Sequence, residues 1–143
     1  MCFSEFAGGL DLNSKLVDVL QNLKKANGSL HVAVATTPRN QIVVAAIIKN
    51  FEFNYELSWK AMRRLLLHHG ITANTPRQSI AESFRRCFID DETMWLAMIE
   101  DRNLTVHTYD EIFAAQMADR ISQKYLPLLD KFLETVEKES ANP

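Results

Sequence analysis

Two cysteines, Cys2 and Cys87, are too few and too far apart for a disulfide framework or a thiolate zinc site. Glycine and proline are scarce too, at four each, which weighs against a strand-rich fold with many tight turns and favours long helices. The longest apolar run, Ile42 to Ile48, is far too short to span a bilayer. The start Met1-Cys2-Phe3-Ser4-Glu5 lacks the basic residues and apolar core of a signal peptide, so a cytoplasmic protein without membrane contact is expected. Charge of one sign is also missing. Lys and Arg number 16 against 18 Asp and Glu, for a net charge of -2 and a pI near 6.1, so no global positive field advertises nucleic-acid binding. A local basic patch remains compatible with that balance.

What is present is an ordinary globular composition, 47% hydrophobic and 24% charged over 143 residues. It predicts one domain over residues 1–143, with 1–10 and 137–143 loosely held. Leu16, Leu20, Leu23, Asn27, Leu30 and Val34 recur at alternating steps of four and three and predict a helix from about Asn13 to Ala35, despite Gly28. A strand over Leu30–Thr36 is the competing reading. Thr37-Pro38 offers a capping hydroxyl and a first-turn proline for a helix of about thirty residues that Gly70 can close. Within it, Phe51, Phe53, Tyr55, Leu57 and Trp59 alternate like a strand. A helical stripe through Val44, Ile47, Ile48, Phe51, Tyr55, Trp59, Met62, Leu65 and Leu66 overrides that alternation.

Thr75-Pro76-Arg77-Gln78 reads as a capping box opening a short helix that ends near Phe88. Asp90 and Asp91 precede a helix whose buried face is Met94, Trp95, Met98 and Ile99. Thr108-Tyr109-Asp110-Glu111 reads as a second capping box, before a last long helix through Ile121, Tyr125, Leu128, Leu129, Phe132 and Val136 that Pro127 kinks or interrupts. The sum is an all-α protein, an antiparallel bundle of four to five helices.

The chemistry concentrates in Arg102-Asn103-Leu104-Thr105-Val106-His107-Thr108-Tyr109. Arginine offers a permanent charge and a planar fork of donors to phosphate oxygens, and histidine is the side chain that exchanges a proton near neutrality. In one unbroken helix Arg102 and His107 would point about 140° apart. A helix break between them lets both side chains turn to one locus, beside a helix N-terminus that favours anions. Against this stands a plain structural role, with Arg102 paired to Asp101, Asp110 or Glu111. A single histidine also cannot easily serve as both acid and base in one displacement.

Glu100-Asp101-Arg102-Asn103-Leu104-Thr105-Val106-His107-Thr108-Tyr109-Asp110-Glu111, together with Phe51-Glu52-Phe53-Asn54-Tyr55-Glu56-Leu57-Ser58-Trp59-Lys60, resembles the nucleotidyltransferase substrate-binding proteins of the HEPN superfamily. The resemblance runs from Leu10 to Val136. It implies a HEPN-like bundle, a homodimer, and a metal-independent ribonuclease using Arg102, Asn103 and His107 as catalytic residues on RNA. It further implies a toxin–antitoxin pairing with a minimal nucleotidyltransferase that silences the toxin by adding AMP to Tyr109. No cofactor or metal is implied. In the family the Phe-Glu-Phe block is often preceded by an arginine and, further upstream, by an Arg-Asp pair; here Asn50 and Val44-Ala45-Ala46 stand instead. The alternative reading is a non-catalytic subunit that presents a nucleotide or substrate to a separately encoded nucleotidyltransferase.

Other features read more plainly. His68-His69, near Arg63 and Arg64, reads as a solvated helix end, and Arg77, Arg85 and Arg86 as a charged surface face. Most of the Phe51, Phe53, Tyr55 and Trp59 group reads as core. Glu52 and Glu56, one turn apart, share a face where they can meet arginines across the bundle or an interface.

Overall fold

A computed structural model describes residues 7–141, with side chains from residue 14 onward. The described residues form α1 (Ala7–Ala35), α2 (Gln41–His68), α3 (Pro76–Arg85), α4 (Glu92–Leu104), a 3-10 turn (Thr105–His107), α5 (Glu111–Arg120), a π turn (Ile121–Tyr125) and α6 (Leu126–Ala141). The last three run on without a break, so the molecule has five helical rods and no strand among the described residues. Of the stretches expected to be loosely held, 1–6, 142 and 143 lie outside the described residues. Residues 7–10 and 137–141 are the ends of α1 and α6, and Glu137 and Glu139 meet Lys24 and His69 at 3.0 and 3.1 Å.

α1 carries its stripe as a helix: Leu16, Leu23 and Leu30 are fully or almost fully buried. The strand reading of Leu30–Thr36 fails, because the helix continues to Ala35. Gly28 lies on the solvent side with open space around it, so it costs the helix backbone entropy but no packing. α2 is the central rod. It packs on α1, α3, α5 and α6, burying Ile47, Ile48, Phe51, Tyr55, Met62, Leu65 and Leu66. Phe51, Tyr55 and the half-buried Trp59 therefore belong largely to the core, while Phe53 stays half exposed beneath the Lys49 ammonium, 5.4 Å from its ring.

The expected start of α2 is displaced. Thr37 and Pro38 lie in the chain reversal after α1, and the cap is Asn40, whose side-chain oxygen accepts from Val43 N at 3.0 Å. A helix starting at Pro38 would leave too little chain to turn between antiparallel rods. The other end falls as read: Gly70 is left-handed at φ 79°, and Gly70 N and Ile71 N return to Leu67 and Leu66 carbonyls. His69 is not a solvated end residue, because its ring packs on Phe88 (5.4 Å between centroids) and meets Glu139.

Thr75 caps α3 through Gln78 N, but Gln78 Oε1 accepts from Asn74 N, one residue before the expected donor. α3 stops at Arg85, short of Phe88. Cys87 takes the left-handed conformation at φ 63° and lets Phe88 N return to Ser83 O, turning Phe88 and Ile89 into the core. Asp91 caps α4, which buries Trp95 edge-on against Phe132. Pro127 lacks the N–H that a continuous α-helix would use, and the π turn just before it absorbs the mismatch, stacking Tyr125 on Phe51 at 5.5 Å. No helix among the described residues is long and apolar enough to cross a membrane.

Candidate functional site

The α4–α5 junction is built from short-range hydrogen bonds. At the end of α4, Thr105 N bonds to Arg102 O, three residues back, and this tightens the chain into the 3-10 turn. Thr108 N then returns to Thr105 O and Asp110 N to His107 O. The cap of α5 is Asp110, not Thr108. Its carboxylate accepts from Ile112 N and Phe113 N at 3.0 and 3.1 Å, where the helix end is partially positive, while the Thr108 hydroxyl donates to Thr105 O. The break expected between Arg102 and His107 is therefore present, and it extends further along the chain than a cap at Thr108 would make it.

Arg102 projects onto α2. Its Nη1 lies 3.6 Å from Glu52 Oε2 and its Nε 3.8 Å from Glu56 Oε2, and Nη1 donates to Thr105 Oγ at 3.3 Å. Thr105 Oγ is in turn 2.5 Å from Glu52 Oε2 and 2.7 Å from Arg102 O, so one hydroxyl proton faces two acceptors. The partners are thus Glu52 and Glu56, not Asp101, Asp110 or Glu111. Glu56 also accepts from Trp59 Nε1 at 3.2 Å, and Trp59 carries the Arg63 guanidinium over its ring.

Asp101 points the opposite way. Only 8% of its side chain is exposed, and it accepts from the Tyr125 hydroxyl at 2.5 Å while Arg120 Nε lies 3.3 Å from the same carboxylate. Burial, and then the Asp101 carboxylate, push the Tyr125 phenol well above its usual 10, so it remains a donor. Tyr55, beside this site, is pushed up to about 12, mainly by burial and next by Glu56. The last turn of α4 is consequently clamped on two sides, through Asp101 to the π turn and through Arg102 to α2.

Asn103, His107 and Tyr109 are exposed. Neither the Asn103 side chain nor the Tyr109 hydroxyl has a hydrogen-bond partner among the described residues, and the His107 and Tyr109 rings meet edge to face at 6.1 Å. No hydrogen bond or ion pair joins Arg102 to His107 within the described residues. The junction brings them to either end of one short turn but leaves them without direct contact. Beside Tyr109, a groove of about 620 Å³ opens between α2, the turn and α5, with Arg39, Lys49, Glu52 and Tyr109 around it and Val44, Ala45, Ile48 and Ala114 along it. Sequence reading gave no role to Thr105, Arg39, Lys49 or Arg120, and gave Tyr125 only a place on the stripe of the last helix. Arg77 and Arg85 are engaged in ion pairs with Glu100 and Glu82, in keeping with a charged surface face. Among the described residues no three His, Cys, Asp or Glu side chains cluster closely enough to hold a metal ion.

The helical bundle is of the HEPN type. The chain belongs to the family described as nucleotidyltransferase substrate binding protein like, whose model matches residues 18–138. A probable ribonuclease HepT of Haemophilus influenzae is 36% identical over 74 residues, 48% of this chain and 51% of that protein, so the chain spans about half the length of the curated relative it matches. A crystal structure from Thermus thermophilus has a TM-score of 0.74 at 27% identity, covering 80% of this chain and 98% of that one. A Haemophilus influenzae structure, described as the fold of a substrate binding domain of a nucleotidyltransferase, gives 0.63 at 27% identity over 87% and 98%. A mutant toxin-antitoxin structure, MntA-HpeT, shares the fold alone, at 0.72 and 12% identity over 86% and 97%.

Proposed function

We propose that this protein is a metal-independent HEPN ribonuclease, the toxin of a toxin–antitoxin pair, acting in the cytoplasm as a homodimer and silenced by a minimal nucleotidyltransferase that adds AMP to Tyr109. The observation that carries the reading is the junction itself. Arg102 sits rigidly on the last turn of α4, His107 lies exposed at the end of the turn that follows, and the Tyr109 phenol is open beside it. Likeness to a probable ribonuclease HepT supports the chemistry, and the fold shared with a toxin–antitoxin structure supports the pairing.

A second copy supplies what one chain lacks. With two copies of Arg102 and His107 lining one cleft, one histidine takes the proton of a ribose 2′-hydroxyl as that oxygen bonds to phosphorus. The other gives a proton to the departing 5′-oxygen, and the arginines bind the charge that builds on phosphorus. The products are a 2′,3′-cyclic phosphate and a 5′-hydroxyl. Large apolar side chains exposed on the groove-forming elements, Ile42 and Phe53 on α2, Val106 in the turn and Ile112 on α5, fit a face covered by a partner copy. AMP on Tyr109 would place an anion next to the same arginines and compete with RNA phosphate.

Purified protein incubated with structured RNA in EDTA is expected to leave cyclic-phosphate ends. Tyr109→Phe should cut as well as wild type but take up no labelled AMP from ATP in the presence of the nucleotidyltransferase; uptake undiminished in this variant would place the modification elsewhere. The groove favours one other reading, a non-catalytic subunit that presents a nucleotide to a nucleotidyltransferase, since its volume suits one small ligand. RNA or nucleotide bound without cleavage would decide for that subunit.

A further inference from the structure

The guanidinium expected to receive phosphate already faces carboxylates. Glu52 and Glu56 stand one turn apart on α2 and bracket Arg102, with Glu52 the more enclosed, its side chain 21% exposed against 41% for Glu56. The contacts of 3.6 and 3.8 Å are too long for hydrogen bonds, so the pairs are electrostatic and the planar fork is not taken up by a bidentate carboxylate. The bond from Nη1 to Thr105 Oγ is the one hydrogen bond of this side chain among the described residues, and Nε is buried without a hydrogen-bond partner. Arg102 is thus aimed and partly neutralised, with most of its donors unspent.

Glu52 has a second cation. Its Oε1 lies 3.6 Å from Lys49 Nζ, whereas its contact with Arg102 is through Oε2. When an anion engages Arg102, Glu52 can keep Lys49 as its counter-ion, and Glu56 keeps the Trp59 N–H.

We infer that Glu52 is a positioning residue that acts in two opposed ways: it fixes the direction of Arg102 through the shared contact with Thr105, and it competes with RNA phosphate for the same guanidinium. The inference rests on the ribonuclease reading for its kinetic half only. Removing the charge should tighten ground-state binding of a phosphodiester, while loss of the fixed direction should slow the step in which charge builds on phosphorus. A residue needed merely for folding would not move the two quantities in opposite senses.

The test compares wild type, Glu52→Gln and Glu52→Asp in two measurements. Binding is read with a 2′-O-methyl RNA oligonucleotide, which cannot be cut through its 2′-oxygen, and turnover with the matching unmodified RNA. Glu52→Gln should bind the uncleavable strand roughly tenfold tighter and cut the unmodified one with a kcat roughly tenfold lower. Glu52→Asp keeps the charge but withdraws it by one methylene, so it should fall between the two in both measurements, and it carries the same test should Glu52→Gln fail to fold. Glu100→Gln, which removes an exposed carboxylate paired with Arg77, should leave binding and kcat unchanged and so excludes net charge as the cause. Unchanged or weaker binding by folded Glu52→Gln overturns the inference, as does an undiminished kcat. Should the wild-type protein bind RNA without cutting it, the ribonuclease reading fails and the binding measurement alone decides on the competition between Glu52 and phosphate.

Discussion

His107→Ala is expected to lower RNA cleavage by at least about a hundredfold, and by as much as about ten-thousandfold, the range a positioned acid or base contributes. Thermal stability and elution volume should stay at wild-type values. The side chain is exposed, its ring meets the edge of Tyr109, and substitutions at such positions usually shift stability by no more than about 0.5 kcal/mol. This separation makes His107 a cleaner probe than Arg102. Arg102→Ala would leave Glu56 without its cation, Glu52 with Lys49 alone and Thr105 without its donor, so lost activity would be confounded with a rearranged α2–α4 contact. Cyclic-phosphate formation by His107→Ala at the wild-type rate would sink the ribonuclease reading. Loss of cleavage together with loss of the dimer would assign His107 to the interface instead.

Much of the bundle was legible because its rules are local. The Leu16, Leu23, Leu30 stripe, the Phe51, Tyr55, Met62 stripe of α2, the Thr75 and Asp91 caps and the Gly70 stop each depend on residues within about two turns of one another. Two helix starts were misplaced. The sequence reading places the starts of α2 and α5 at Thr37-Pro38 and Thr108, where the structure caps them with Asn40 and Asp110. In each pair the later residue wins, because the chain needs the intervening residues to reverse direction and, at Thr108, because the hydroxyl is already bonded to Thr105 O. Pro127 announced a disturbance, but its form, a π turn that carries Tyr125 to Asp101, follows from packing across the bundle. The site divides the same way. Arg102, Asn103, His107 and Tyr109 stand together in sequence and could be picked out by type and spacing. The partners of Arg102 lie on a helix far earlier in the chain, where two glutamates one turn apart signal a shared face and say nothing of what meets it.

The strongest effect on stability is expected at Asp101, which no spacing argument singled out. Its carboxylate is almost fully enclosed and accepts from the buried Tyr125 hydroxyl, with the Arg120 guanidinium alongside. Asp101→Ala should cost about 3 kcal/mol, since it strands a buried phenol O–H and leaves a void beside the π turn. Tyr125→Phe keeps the ring stacked on Phe51 and removes one hydrogen bond to a charged acceptor, a loss of about 2 kcal/mol. Arg120→Ala should cost less, about 1 kcal/mol, because that side chain is 35% exposed and water screens what it leaves behind. If the three groups act as a unit, the double variant Asp101→Ala, Tyr125→Phe will lose clearly less than the sum of the single losses in urea unfolding; simple additivity would mean that the contacts are independent. The phenol also sets a pH signature. Its folded value lies above the usual 10, so the stability it contributes is fully present below pH 10 and is lost as pH rises toward the folded value. The wild-type protein should therefore lose stability faster than Tyr125→Phe above pH 10, and the gap between them should narrow. Because Asp101 immediately precedes Arg102, each of these substitutions should also blunt RNA cleavage through the loosened last turn of α4, which unfolding and turnover measured on the same preparations would reveal.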